Sequence, residues 1–275
     1  MAQGELITID DGTEFAYDRL EADGPSIVLL HAGVADRRAW CDVGAVLNER
    51  GADVWAYDRR GFGETPGTEH AYDHTDDLLA ILEQISPDPV WLVGNSQGGR
   101  ISIDLAMTRP ERVAGLVLLA PAVSGAPEKS NEELDPSTRA ISAEFDEAED
   151  EGDLDRVNSL DVRLWLDGPA SPEGRVSGPD RDLALAMNAI ALVAAQPEDD
   201  GQGDRDAWSR LEEIDVPATV SWGELDIPIL IEECRILADR LPGAGEPVEI
   251  PGVAHLMGLE RPDLTAELIA SAVGI

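Results

Sequence analysis

Lysine is almost missing from this chain. Of its 20 cationic residues among 275, only Lys129 is a lysine. Cations of any kind are scarce: 56 Asp and Glu leave a formal net charge of −36. Nucleic acid and anionic membrane are therefore poor partners, because their phosphates are repelled. The acids are spread along helices and loops rather than gathered in a tail. That spread suits molar salt, where the Debye length falls to about 3 Å and self-repulsion is screened. A halophilic protein is the expectation, and stability greatest in dilute buffer would contradict it. Cysteine is nearly absent too. Cys41 and Cys234 lie far apart with no metal or redox spacing, and both read as buried thiols in helices. With four histidines and no Cys/His cluster, a structural zinc site has no support. Long hydrophobic runs are missing as well: stretches such as VAGLVLLAPAV are too short to cross a bilayer. The opening MAQGELITID has no basic region followed by an apolar run, so no signal peptide is expected and a cytoplasmic location is the default.

What is there is 43% hydrophobic, enough to argue against disorder. ELITI and TEFAYD read as strands joined at Asp11-Gly12, a strong hairpin signal. SIVLLHAG, ADVWAYD, PVWLVG and VAGLVLLAPA follow as strands, several apolar throughout as strands buried on both faces are. Helical stretches alternate with them, at 36–50, in HTDDLLAILEQI and in GGRISIDLAMTRP. Alternation of this kind implies right-handed crossovers and a mostly parallel sheet. It stops near Ala126. From there to about Arg205 the chain is rich in acids, Pro and Gly, and its regular stretches are helical. An acidic loop is expected at 198–204. The sheet pattern resumes with VPATVSWGELD and EPVEIPGVAH before a final helix. The expected division is an α/β core over 1–125 and 206–275, with a helical insertion over 126–205.

GNSQGG places Ser96 at a tight strand-to-helix turn, flanked by glycines that such a turn requires. A plain turn and a reactive hydroxyl are both open on this motif alone, whereas dinucleotide and phosphate-loop patterns do not fit it. The turn would hold the hydroxyl beyond the carboxyl end of the sheet, where ligands bind in open α/β sheets. A serine nucleophile needs a base, and the base an orienting acid. Histidine suits the first role because imidazole accepts a proton at neutral pH. His31 ends a buried strand, His70 and His74 flank a polar loop, and His255 follows the last strand. For the acid, Asp226 lies just past a strand end, with Glu224 as the alternative.

The order Ser96, Asp226, His255 resembles the α/β-hydrolase fold. LLHAGVADRRAW is similar to that family's oxyanion-loop segment, YDRRGFGET to its Asp-x-Arg-Gly-x-Gly-x-Ser stretch with Thr65 where serine is commoner, GNSQGG to its nucleophile elbow, WGELDIP to its acid loop and GVAHLMGLERP to its histidine loop. Ala32 departs from the common glycine after the loop histidine. The resemblance favours Asp226 over Glu224 as the acid. It implies oxyanion donors in the backbone amides of Gly33 and Gln97, with Val34 the fallback for a shifted register. His31 is expected to pack under the loop. Asp58, Arg59 and Arg60 read as loop anchors, and Asp76 and Asp77 as carboxylates favouring a helix dipole. Trp165 is either cap core or pocket wall. The resemblance further implies a serine hydrolase with a helical cap, acting on a small-molecule carboxylic ester or lactone without metal or organic cofactor. Alternatives on the same layout are C–C bond hydrolysis, cofactor-free haloperoxidase or perhydrolase chemistry, and a non-enzymatic small-molecule receptor.

Overall fold

A computed structural model describes residues 4–197 and 205–275; the acidic stretch expected at 198–204 lies outside the described residues. Among the described residues, eight strands form one sheet. They are β1 (Glu5–Thr8), β2 (Glu14–Leu20), β3 (Ser26–Leu30), β4 (Asp53–Tyr57), β5 (Val90–Asn95), β6 (Val113–Leu119), β7 (Ala218–Gly223) and β8 (Val248–Ile250). Their spatial order is β1-β2-β4-β3-β5-β6-β7-β8. The β1–β2 and β2–β4 pairs are antiparallel and all the others parallel. The hairpin expected at Asp11-Gly12 is present. Asp11 Oδ1 accepts from Thr13 N at 2.8 Å, and Gly12 takes φ 87°. The central strands β3, β5 and β6 are almost wholly buried, which is why they read as unbroken apolar runs.

Helices α1 (Cys41–Glu49), α2 (His74–Ile85), α3 (Gln97–Thr108), α7 (Pro228–Arg240), α8 (Met257–Glu260) and α9 (Pro262–Val273) accompany the sheet. Helix α1 packs on α9 over one face and α2 on α3 over the other. The chain runs from β3 outward to β4, then returns past β3 to β5. Strand order therefore reverses between β3 and β5, and the crevice at their carboxyl ends is where such a sheet opens a site.

Between β6 and β7 the regular elements among the described residues are α4 (Pro136–Glu151), α5 (Leu154–Val162), a π turn at Arg163–Asp167, α6 (Pro179–Val193) and a short 3-10 stretch at Ala207–Glu213. Asp135 caps α4 by accepting from Ser137 N and Thr138 N, and Gly152 closes it in the left-handed region. These helices have a small core of their own in Ile141, Ala148, Val157 and Leu160. A second cluster joins them to the sheet's loops: Val162, Leu166, Ala184 and Met187 pack with Ala32, Ala35 and Leu256. Burying side chains of this size is worth about 1.5–3 kcal/mol each, so the helices are held over the β3 and β8 loops by packing. No helix among the described residues is long and apolar enough to cross a membrane. One expectation fails: Cys234 is buried, but Cys41 is exposed. It is the first residue of α1, on the side turned from the core that Val43, Gly44 and Leu47 face.

Candidate active site

Strand β5 ends at Asn95 and α3 begins at Gln97, so Ser96 must turn the chain within one residue. It does so at φ 53°, ψ −116°, a conformation costly for any residue with a Cβ. The turn is pinned by Ser96 N donating to Leu119 O at 3.0 Å and Ser96 O accepting from Ala122 N at 3.0 Å. The glycines around it answer to space. A Cβ on Gly94 would sit 2.4 Å from the Gly98 backbone, and one on Gly98 would sit 2.2 Å from Leu30 O. Gln97 opens α3, and the first amides of a helix have no carbonyl within it to meet.

A cavity of about 240 Å³ lies over this turn, lined by Ala32, Gly33, Val34, Ser96, Gln97, Trp165 and His255. His255 Nδ1 lies 2.7 Å from Asp226 Oδ2, and both residues are buried. The other carboxylate oxygen of Asp226 accepts from Ile227 N at 2.7 Å, which fixes its plane. Asn95, the variable residue before the serine, donates to Leu119 O at 2.9 Å and to His255 O at 3.1 Å. One buried amide thus ties the serine turn to the histidine loop. Glu224 is turned elsewhere: its carboxylate accepts from Gly252 N at 2.8 Å.

The remaining histidines differ in kind. His31 is buried, donates from Nδ1 to Ala32 O at 2.8 Å, and accepts at Nε2 from Arg59 N at 3.1 Å. Burial and the nearby Arg59 charge hold its pKa well below the ordinary histidine value, so it is a neutral strut under the loop. His74 opens α2, buried and depressed for the same two reasons. His70 is exposed. Among the described residues, His255 alone of the four both lines the cavity and meets a carboxylate.

The loop after β4 is a lattice of buried ions. Asp58 accepts from Arg37 N and Glu64 N at 2.8 Å each and pairs with the Arg37 guanidinium; burial pushes its pKa up to about 6. Gly63 is obligatory, since a Cβ there would meet Asp58 Oδ2 at 2.1 Å. Thr65 donates to Asp58 O at 2.9 Å and accepts from Ala16 N at 3.0 Å, work that needs only a hydroxyl and explains why threonine serves. Arg60 reaches Asp77, Asp11 and Thr13. Asp77 is therefore a buried ion-pair partner rather than a mere helix-dipole carboxylate.

The sequence leaves Trp165 open between cap core and pocket wall and gives no sign of a second feature. Trp165 is a cavity wall, its ring centroid 4.6 Å from that of His255, and its carbonyl accepts from His255 N at 3.2 Å. It stands there because the π turn extends α5, an irregularity that apolar periodicity does not signal. The second is a clamp. Arg175 donates to Leu166 O, Asp167 O and Gly252 O and pairs with Glu260, which itself accepts from Ala254 N at 2.8 Å. The inserted helices are thereby tied to the residues flanking His255.

A family model described as the alpha/beta hydrolase fold matches residues 25–262. The chain belongs to the α/β-hydrolase fold family. Among relatives, it is 26% identical to a Bacillus subtilis strain 168 protein named "Putative 2-succinyl-6-hydroxy-2,4-cyclohexadiene-1-carboxylate synthase", over 96% of each chain. It is also 26% identical to a pimeloyl-[acyl-carrier protein] methyl ester esterase of Vibrio campbellii, over 80% of this chain and 83% of that one. Among solved structures, one described as Est816, an N-acyl homoserine lactone degrading enzyme, superposes with a TM-score of 0.68 at 27% identity, covering 98% of this chain and 99% of that one. The hydrolase fold, with an esterase and a lactone-degrading enzyme among the similar proteins, supports a hydrolase.

Proposed function

We propose that the protein is a serine hydrolase of carboxylic esters or lactones. The observation that carries this reading is the 2.7 Å Asp226–His255 pair opening onto the same cavity as the strained Ser96 turn. Ser96 Oγ attacks the substrate carbonyl carbon while His255 Nε2 takes its proton. Asp226 fixes the tautomer by accepting from Nδ1–H and stabilises the imidazolium. The Gly33 and Gln97 amides receive the charge that develops on the carbonyl oxygen. The imidazolium then protonates the leaving oxygen as the C–O bond breaks, giving an alcohol, or for a lactone the free hydroxyl of the opened chain. Water, deprotonated by His255, hydrolyses the acyl-enzyme.

No step calls for a metal or organic cofactor. The 126–205 segment acts as a cap, with Trp165 closing the cavity over His255 and excluding water. The cavity's size and uncharged lining suit a short acyl group. The pimeloyl ester esterase and the lactone-degrading enzyme among the similar proteins support the two substrate classes respectively. The test is hydrolysis of p-nitrophenyl acetate by wild type and Ser96→Ala. A loss of at least about 10³-fold in kcat is expected, and equal rates would remove Ser96 as nucleophile.

A further inference from the structure

Arg59 is the cation whose surroundings make least sense as plain architecture. It is 1% exposed, and among the described residues no carboxylate lies within ion-pair distance of it. The other buried arginines are neutralised: Arg37 by Asp18, Asp58 and Glu64, and Arg60 by Asp11 and Asp77. In a chain with 56 acidic residues, a partner was available. The guanidinium instead faces neutral groups and feels the like charge of Arg100. It lies 4.3 Å from the Phe62 ring centroid and 3.4 Å from His74 Nε2, and its Nε has no acceptor among the described residues. Burying an unpaired cation opposes folding, and its pKa falls to about 10 for that reason.

What Arg59 does hold is the floor of the cavity. Nη2 donates to Ala32 O at 3.2 Å, and Nη1 donates to Gln97 Oε1 at 2.9 Å. The Ala32 carbonyl belongs to the same peptide as the Gly33 amide. That carbonyl also accepts from His31 Nδ1 at 2.8 Å and from Ala35 N at 3.2 Å. Three donors, one of them cationic, fix the peptide's orientation and polarise its N–H toward the cavity. The Gln97 side chain, turned by the same guanidinium, lies on Gly33 so closely that a Cβ there would meet it at 3.0 Å.

We propose that Arg59 is a positioning residue of the oxyanion hole, a buried, unneutralised cation that sets the Ala32–Gly33 peptide and the Gln97 side chain for the charge developing on the substrate oxygen. The assignment rests on the hydrolase reading above. It accounts for the missing counter-ion, because a carboxylate beside the guanidinium would cancel the field that a transition-state oxyanion uses.

The test is Arg59→Met assayed on p-nitrophenyl acetate, with the inhibition constant of phenylboronic acid, a tetrahedral anion mimic once bound to serine, measured in parallel. Expected is a fall of about 10–100-fold in kcat with KM within about threefold, and weaker boronate binding by a similar factor. A merely structural role would lower the melting temperature and leave kcat and boronate affinity unchanged per folded molecule, which overturns the assignment. If Arg59→Met does not fold, Arg59→Lys decides. Its single ammonium keeps the charge but cannot span both acceptors, so kcat should still fall, and an unchanged kcat overturns the assignment. Turnover that survives Ser96→Ala sinks the hydrolase reading and this assignment with it. Ser96-dependent turnover with unchanged kcat in the Arg59 variants sinks this assignment alone.

Discussion

The loops at the carboxyl edge of the sheet and the helices inserted after β6 meet at His255, yet they are built on opposite terms. At the edge, almost every side chain is fixed by geometry. Gly94 and Gly98 have no room for a Cβ, Ser96 takes a positive φ, and Asp58, Asp226 and His255 are buried with named partners. In the inserted helices the ion pairs are mostly exposed. Arg156 lies near Glu144 and Glu147, all three with substantial side-chain exposure. The difference teaches where residue identity is set by the backbone and where only residue class matters.

The largest expected effect lies on the edge side. Gly94→Ala drives a Cβ into the Gly98 backbone at 2.4 Å, and backbone cannot step aside as a flexible side chain could. Destabilisation of about 3 kcal/mol or more is expected in urea melts. A loss below about 1 kcal/mol, on the order of an ordinary surface change, would break the contrast.

The seam between the two regions gives a middle effect with a definite sign. Burial pushes Glu260 up from its ordinary value near 4.5 to about 7, although Arg175 opposes the shift. Between those values the folded protein holds a proton that the unfolded chain has released, so stability falls as pH rises through the window. Glu260→Gln lacks this term. Its melting temperature relative to wild type should move in the variant's favour between about pH 5 and pH 8. A difference that stays flat with pH would remove Glu260 as the titrating link.

The smallest effect belongs to the inserted helices. Arg156→Ala should change stability by less than about 0.5 kcal/mol, because exposed pairs are screened and each side chain gives up rotamer freedom to form them. A cost above about 2 kcal/mol would mean that this surface network is held as rigidly as the edge.

The same contrast explains what is legible in the sequence. The succession of strands and helices can be read there, and so can the positions of Ser96, Asp226 and His255, which lie at or within five residues of the ends of β5, β7 and β8. Asp226 is separable from Glu224 through family resemblance and because Glu224 falls on the strand end. The structure adds the 2.7 Å contact to His255 and turns Glu224 to Gly252 N. Trp165 stays undecided in the sequence because its place depends on a π turn and on tertiary docking. Cys41 departs from expectation because residue type says buried while its position, at the head of α1, faces outward. Arg59 looks like one more loop anchor, since a missing counter-ion is a fact about neighbours in space and not in sequence.

The central claim is that Ser96 is a nucleophile activated by His255. A fluorophosphonate probe tests it most directly, because it reports the activated hydroxyl whatever ester or lactone the cavity prefers. Peptide mass spectrometry after labelling should find one adduct, on the peptide carrying Ser96, with labelling lost in Ser96→Ala and strongly slowed in His255→Ala. Labelling that persists in Ser96→Ala, or none in folded wild type, would contradict the account.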